Sequence, residues 1–173
     1  MSDERTRSIT DHLSEHIPYS LLMLRYALYC LRAPRSQLDW NAHYECFAVH
    51  ARLLAVFLTD DSDQTTFRIS DLTTGYSVVT QLKVFHKLNE QVLHFNSRRT
   101  KDAKDKIDGT EVARMASWIE RAFSDFEKAL RAEYRPFLRM DIADPTNLIE
   151  QGVSLGPNRT TTTTTETRGF FTP

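Results

Sequence analysis

Residues Asn41–Leu58 read NAHYECFAVHARLLAVFL, a stretch with no Gly or Pro. Phe47, Ala48, Ala51, Leu54, Ala55 and Leu58 recur at steps of one, three and four, which is one stripe of a 3.6-residue period. Cys46, Val49, Leu53, Val56 and Phe57 form a second stripe, so the predicted helix is apolar nearly all round. A helix of that kind is expected to be central and buried. It nevertheless carries Glu45, His50 and Arg52. Buried charges need partners, so these three are expected to bond to a neighbouring helix or to build a polar site within the core.

Outward from this helix, the rest of the chain reads as further helices. The segment YSLLMLRYALYCLR places Leu21, Leu24, Leu28 and Leu31 on one face, with Pro18 suited to a first turn and Ala33-Pro34 ending the run. Residues 1 to about 16 are polar and predicted to fray, although Ile9, Leu13 and Ile17 have the spacing to extend this first helix. Asp39 is a fair N-cap for the central helix, and Trp40 beside it is expected to pin the helix start.

Thr59 to Thr74 is an acidic break. Its Asp60, Asp61 and Asp63 invite comparison with a calcium loop, but the turn Gly and bidentate Glu of an EF-hand are missing, so it reads as a solvated connector. Gly75 then precedes a predicted third helix, YSVVTQLKVFHKLNEQVLHFNSRR, in which Val78, Leu82, Phe85, Asn89 and Val92 share a line. Asp108 and Glu111 have capping-box spacing for a fourth helix running to Arg135 before Pro136. Val112, Met115, Ile119, Ala122, Phe126 and Ala129 form its core line, and Arg121–Asp125 and Glu127–Arg131 are i,i+4 pairs on its wet side. Phe137, Leu138 and Ile142 are expected to pack back on the bundle. From Gly156 onward the chain is low in complexity, with six threonines at 160–165, and is predicted to be disordered.

Composition narrows the function classes. The chain has 173 residues, is 40% hydrophobic, and balances 22 Lys+Arg against 23 Asp+Glu. That is enough for one domain with a real core, and it lacks the global basic bias of a broad nucleic-acid surface. Cys30 and Cys46 lie in apolar helical patterns and read as buried thiols of a reducing compartment. The polar N-terminus is unlike a signal peptide, and no apolar run reaches membrane-spanning length. The expectation is therefore a cytoplasmic protein with no membrane partner. There is no phosphate-cradling Gly-rich loop, Gly-x-Ser-x-Gly elbow or Cys-x-x-Cys, and no cofactor is implied.

Three constellations can carry chemistry. The first is Glu45, His50 and Arg52 on the central helix. The second is His86, Glu90 and His94 at i, i+4, i+8 on the third helix, followed by Arg98 and Arg99. His titrates near neutral pH and Arg clamps anions, so this edge suits a proton shuttle beside a phosphate, against the plainer reading of a half-exposed helix edge. The third is metal: His43, Cys46 and His50 share an arc, and His86 or His94 can complete a set from a facing helix. No Glu-x-x-His repeat or His-Glu-x-x-His supports it, and no metal is assigned.

Two stretches together, WNAHYECFAVHARLLAVFL and KLNEQVLHFNSRR, resemble a group of small bacterial helical proteins. That group shows a Glu-x-Phe-x-x-His-Ala-Arg-x-Leu core helix, then an Asn-x-x-x-x-His segment followed by a basic residue. The resemblance covers about residues 18–135, and the group is similar in turn to the HEPN superfamily of helical bundles. The resemblance implies a homodimer, an RNA-related or defence and toxin-associated role, and a site at the dimer interface built on an Arg-x-x-x-x-His motif. Here His94 takes the His place and Asn89 holds the Arg place. Asn has no fixed positive charge, so the phosphate-binding role passes to Arg52, Arg98 or Arg99.

The combined expectation is an all-α, up-and-down bundle of four main helices spanning 18–145, preceded by a polar segment 1–17 and followed by a low-complexity tail 146–173. The site would use His94, His50 and Asn89 for catalysis and Arg52, Arg98 and Arg99 for phosphate. The competing expectation is a non-enzymatic protein-interaction module whose polar core residues fix helix register.

Overall fold

In a computed structural model, the structure describes residues 3–60, 68–77, 79–88 and 106–146. The helices are α1 (Asp3–Asp11), α2 (Ile17–Cys30), α3 (Gln37–Thr59), α4 (Ile69–Leu72), α5 (Val84–Leu88) and α6 (Gly109–Ala129). Among the described residues there is no strand, only an isolated antiparallel bridge between Thr73 and Leu130. The all-α class expected from the sequence is what the chain adopts.

The N-terminal segment does not fray. α1 and α2 join through one π-helical stretch, His12–His16, and Ile9, Leu13 and Ile17 are buried in the main core. Pro18 explains the π stretch. Inside a regular helix its ring would clash with the carbonyl four residues back, and it has no N–H to donate. Widening the preceding turn relieves both problems. The Ile17 N–H then reaches back to His12 O, and the Leu13 carbonyl accepts instead from the Arg139 N–H at 3.3 Å. Pro18 thus stands in the first turn of α2, as its sequence position suggests, while α2 itself continues a longer helical run, and the freed carbonyl anchors the segment that follows α6.

α3 packs antiparallel on α2, as the ring pairs Tyr26–His43 and Tyr19–His50 show. Its start is set by Ser36, not Asp39. The Ser36 hydroxyl accepts the Asp39 N–H at 3.0 Å, while the Asp39 carboxylate, one turn in, accepts the Arg35 N–H at 2.9 Å. Asp39 is held below the usual carboxylate range, first by that backbone hydrogen bond. Trp40 stacks on Tyr44, with ring centroids 4.9 Å apart and planes 13° apart. The helix closes at Asp60, in the left-handed region at φ 54, and the Tyr76 hydroxyl donates to Leu58 O at 3.2 Å.

α6 begins with the expected capping box: Asp108 accepts the Glu111 N–H at 2.8 Å and Glu111 accepts the Asp108 N–H at 3.3 Å. It ends at Ala129, short of Arg135, because Leu130 turns to an extended conformation and pairs with Thr73. The Thr74 N–H donates to Ala129 O and the Arg131 N–H to Leu72 O, so backbone pairing with the α4 segment replaces further helix. The expected wet-side pairs change with it. Asp125 meets Lys128 at 3.3 Å, and the Arg131 guanidinium donates to Thr73 O and Ser70 O. Beyond α6, Leu130, Tyr134 and Ala143 are buried and Leu138 packs against the core as expected, whereas Phe137 and Ile142, expected inside, are exposed.

Residues 76, 77 and 79–83 are not helical, so the predicted third helix is seen only as α5. Phe85 and Leu88 are buried there, Phe85 edge-on to Trp118 at 5.2 Å, and Lys87 bonds Glu111 at 2.6 Å. Val78, Asn89 and Val92 lie outside the described residues, as does the tail from 147 onward. Arg25 ties the far end of the core together. It forms two 2.7 Å hydrogen bonds to the Glu120 carboxylate and one of 2.9 Å to Ala143 O.

Candidate functional site

The central helix is amphipathic after all, though its sequence is apolar nearly all round. Phe47, Ala48, Ala51, Leu54, Ala55 and Leu58 are buried, as the first stripe predicts. The second stripe divides: Val49 is 42% exposed and Leu53 54% exposed, whereas Cys46 and Phe57 are half-buried against the core. Glu45 is exposed and so needs no buried partner, while His50 and Arg52 are half-buried. The physical reason is supply. α2, α6 and α5 all contact α3, yet they leave Val49 and Leu53 uncovered.

That open face has a regular order. Leu38, Ala42, Glu45, Val49, Arg52 and Val56 follow steps of four, three, four, three and four. This is the seam spacing of a helix that pairs with another helix. Leu38 is 78% exposed, with Leu53 beside the seam. Such a row of accessible aliphatic side chains on a core helix differs from the scattered single apolar residues of an ordinary surface.

Along the flank facing α2 lie His43, Cys46 and His50, opposite Tyr26, Cys30 and Tyr19. The His50 ring meets Tyr19 edge to face at 5.7 Å. Its Nδ1 is buried with no hydrogen-bond partner among the described residues, and burial lowers its pKa. The ring is therefore neutral at neutral pH. His43 Nε2 lies 3.4 Å from Asp39 Oδ1. The two thiols are free, and burial pushes the Cys46 pKa up, with Cys30 adding to it. The Tyr26 hydroxyl is raised too, first by its hydrogen bond with Cys30. A raised pKa keeps the Cys46 thiol protonated and makes it a poor nucleophile.

Among the described residues no three His, Cys, Asp or Glu side chains converge to hold a metal, so His43, Cys46 and His50 share an arc without forming a ligand set. His86 is exposed on α5. Of the expected catalytic and phosphate-binding residues, the structure places His50 and Arg52 on α3, two positions apart and on different flanks. Asn89, Glu90, His94, Arg98 and Arg99 lie outside the described residues.

Sequence reading missed the exposure of Val49 and Leu53, because periodicity alone cannot say which face of an all-round apolar helix lacks a neighbour. The four-three spacing from Leu38 to Val56 was the signal available. Among the described residues no helix is long and apolar enough to cross a membrane. No protein-family model matches the chain, and no curated protein or solved structure matches it.

Proposed function

We propose that this chain is a helical interaction module that pairs with a second copy of itself through the outward face of α3. The observation that carries the reading is the seam Leu38–Ala42–Glu45–Val49–Arg52–Val56, exposed at its first four positions and half-buried at Arg52 and Val56, with exposed Leu53 beside it. The seam is complementary to itself. Glu45 and Arg52 lie at nearly equal distances on either side of Val49. In an antiparallel crossing centred there, Glu45 of one copy faces Arg52 of the other, and Val49 meets Val49. An isologous two-fold contact needs this kind of self-matching patch. The up-and-down order of four main helices belongs to the same proposal, with α2, α3 and α6 as three of them and α5 belonging to the fourth. So does a reducing, cytoplasmic setting, which suits the two free thiols.

Sedimentation equilibrium across the micromolar range tests the pairing. The wild type should be a dimer. Leu53→Asp should be monomeric with an unchanged helical circular dichroism spectrum. Glu45→Arg should also dissociate, and Glu45→Arg combined with Arg52→Glu should recover the dimer. A wild-type monomer throughout that range would sink the proposal.

A second reading keeps the HEPN-like, RNA-directed or toxin-associated role. Its support is the pair of sequence motifs, together with a neutral His50 on the flank of α3 that faces α2. In this reading His94 acts as general acid or base on a ribose 2′-OH, with His50 and Asn89 beside it, and Arg52, Arg98 and Arg99 bind the phosphate. Purified protein with a panel of RNAs tests it. Loss of His94 should cost on the order of a hundredfold in cleavage rate if it is catalytic. Absence of cleavage by the wild type leaves the interaction module alone.

A further inference from the structure

A hollow of about 600 Å³ opens between the C-terminal turn of α2, the first turn of α3 and the N-terminal half of α6. The size lies within the range of small-molecule sites, roughly 300–1,000 Å³. It exists because α6 presents Ala113, Ala116 and Ser117 where larger side chains would fill the space. Leu28, Leu31 and Val112 supply apolar walls, and Trp40 stands at one side. The indole is braced on one face by Tyr44. A ring held that way is a rigid platform for another ring.

The charges around the hollow are one-sided. Arg32 and Arg121 line it, and both are exposed at its rim. Glu120 is its one lining carboxylate, and that group is already held by two 2.7 Å hydrogen bonds from Arg25. A second hollow of about 330 Å³ adjoins across Ala113, Ser117 and Arg121 and adds Arg114. Three guanidinium groups thus border one apolar trough, and the carboxylate among them is engaged. Arginine forks match the oxygens of carboxylate, sulfonate and phosphate.

The geometry points to a binding site for a ring-bearing organic anion, its ring against Trp40 and its anionic group at Arg32 and Arg121. The site is separate from the proposed dimer face. Trp40 lies about 200° around the helix from Leu38, since each residue turns about 100°. Occupation of one surface leaves the other open.

The probe is 8-anilinonaphthalene-1-sulfonate, followed by its fluorescence on titration into the full chain. Its uncharged analogue N-phenyl-1-naphthylamine serves as the comparison. The wild type should bind the sulfonate at one site per chain and more tightly than the neutral analogue. Arg32→Glu with Arg121→Glu should weaken the sulfonate by about tenfold or more and leave the analogue nearly unchanged. Ala113→Trp, an exposed position on the rim, should block both. Arg7→Glu, remote on α1, should change neither, and Leu53→Asp should bind as the wild type does whether or not the protein is a dimer. No saturable binding overturns the site. So does binding that survives both Ala113→Trp and the double charge reversal with the fold intact. Equal affinity for the two probes overturns the anion assignment.

Discussion

Arg25 shows how much one side chain can connect. Its guanidinium joins α2 to α6 through Glu120 and to the C-terminal segment through Ala143 O. The Arg25 side chain is 28% exposed and that of Glu120 40%, so solvent screens the pair in part. Arg25→Ala should lower stability by about 1–2 kcal/mol in urea denaturation, less than a fully buried charged network would cost. A double-mutant cycle with Glu120→Ala should show that the two losses are not additive. His50 contributes differently, through the proton it does not bind. Burial lowers its pKa below the ordinary 6.5 of the unfolded chain. Its stabilisation is fully present above that value and is lost as pH falls through the folded-state pKa, because the unfolded state takes up the proton first. His12, lowered first by burial and then by His16, acts in the same sense. Melting temperature should therefore fall between about pH 7 and pH 5, ahead of the carboxylate range. His50→Phe, which keeps a ring against Tyr19, should flatten part of that slope. An unchanged slope would mean that His50 keeps its proton on folding.

At the scale of the element, the helix ends follow local chemistry closely. The Asp108–Glu111 box opens α6 as its spacing predicts. The start of α3 needed geometry to settle, because Ser36 and Asp39 are both good capping residues three apart. Ser36 takes the cap, which frees Asp39 to hold the Arg35 N–H and lie beside His43. Ser36→Ala should cost about 1 kcal/mol, and Ser36→Asp should restore most of it. If Asp39 were the true cap, Ser36→Ala would leave the unfolding midpoint where it was. The end of α6 had no such local signal. The chain beyond Ala129 leaves the helix to pair with Thr73, more than fifty positions earlier.

The whole molecule depends on a segment whose composition looks dispensable. Ile9, Leu13 and Ile17 insert into the same core as Phe47, Leu54 and Phe126. Leu13 is fully buried, and its carbonyl anchors Arg139. Leu13→Ala should cost about 3 kcal/mol by thermal or chemical melting, the usual size of a buried Leu→Ala loss. Removing residues 1–16 should unfold the domain or leave it molten. A truncated chain that melts like the full one would show that the α1 segment only rests on the surface.

Local pattern by itself determined the all-α class, the core stripe of α3 from Phe47 to Leu58, the core line of α6 and its capping box. Each of these rests on spacing within one helix turn or two, and the backbone's own period enforces it. Tertiary structure decided the rest. Whether Val49 and Leu53 are core or surface depends on how many neighbours α3 has, and that number is not written in α3. The π stretch is half legible, since Pro18 forbids a regular turn, but its use as an anchor for Arg139 requires a residue over 120 positions away. The Trp40 hollow likewise comes from small side chains on α6 meeting the ends of two other helices. Burial and cavities are properties of surfaces brought together, and only the fold brings them together.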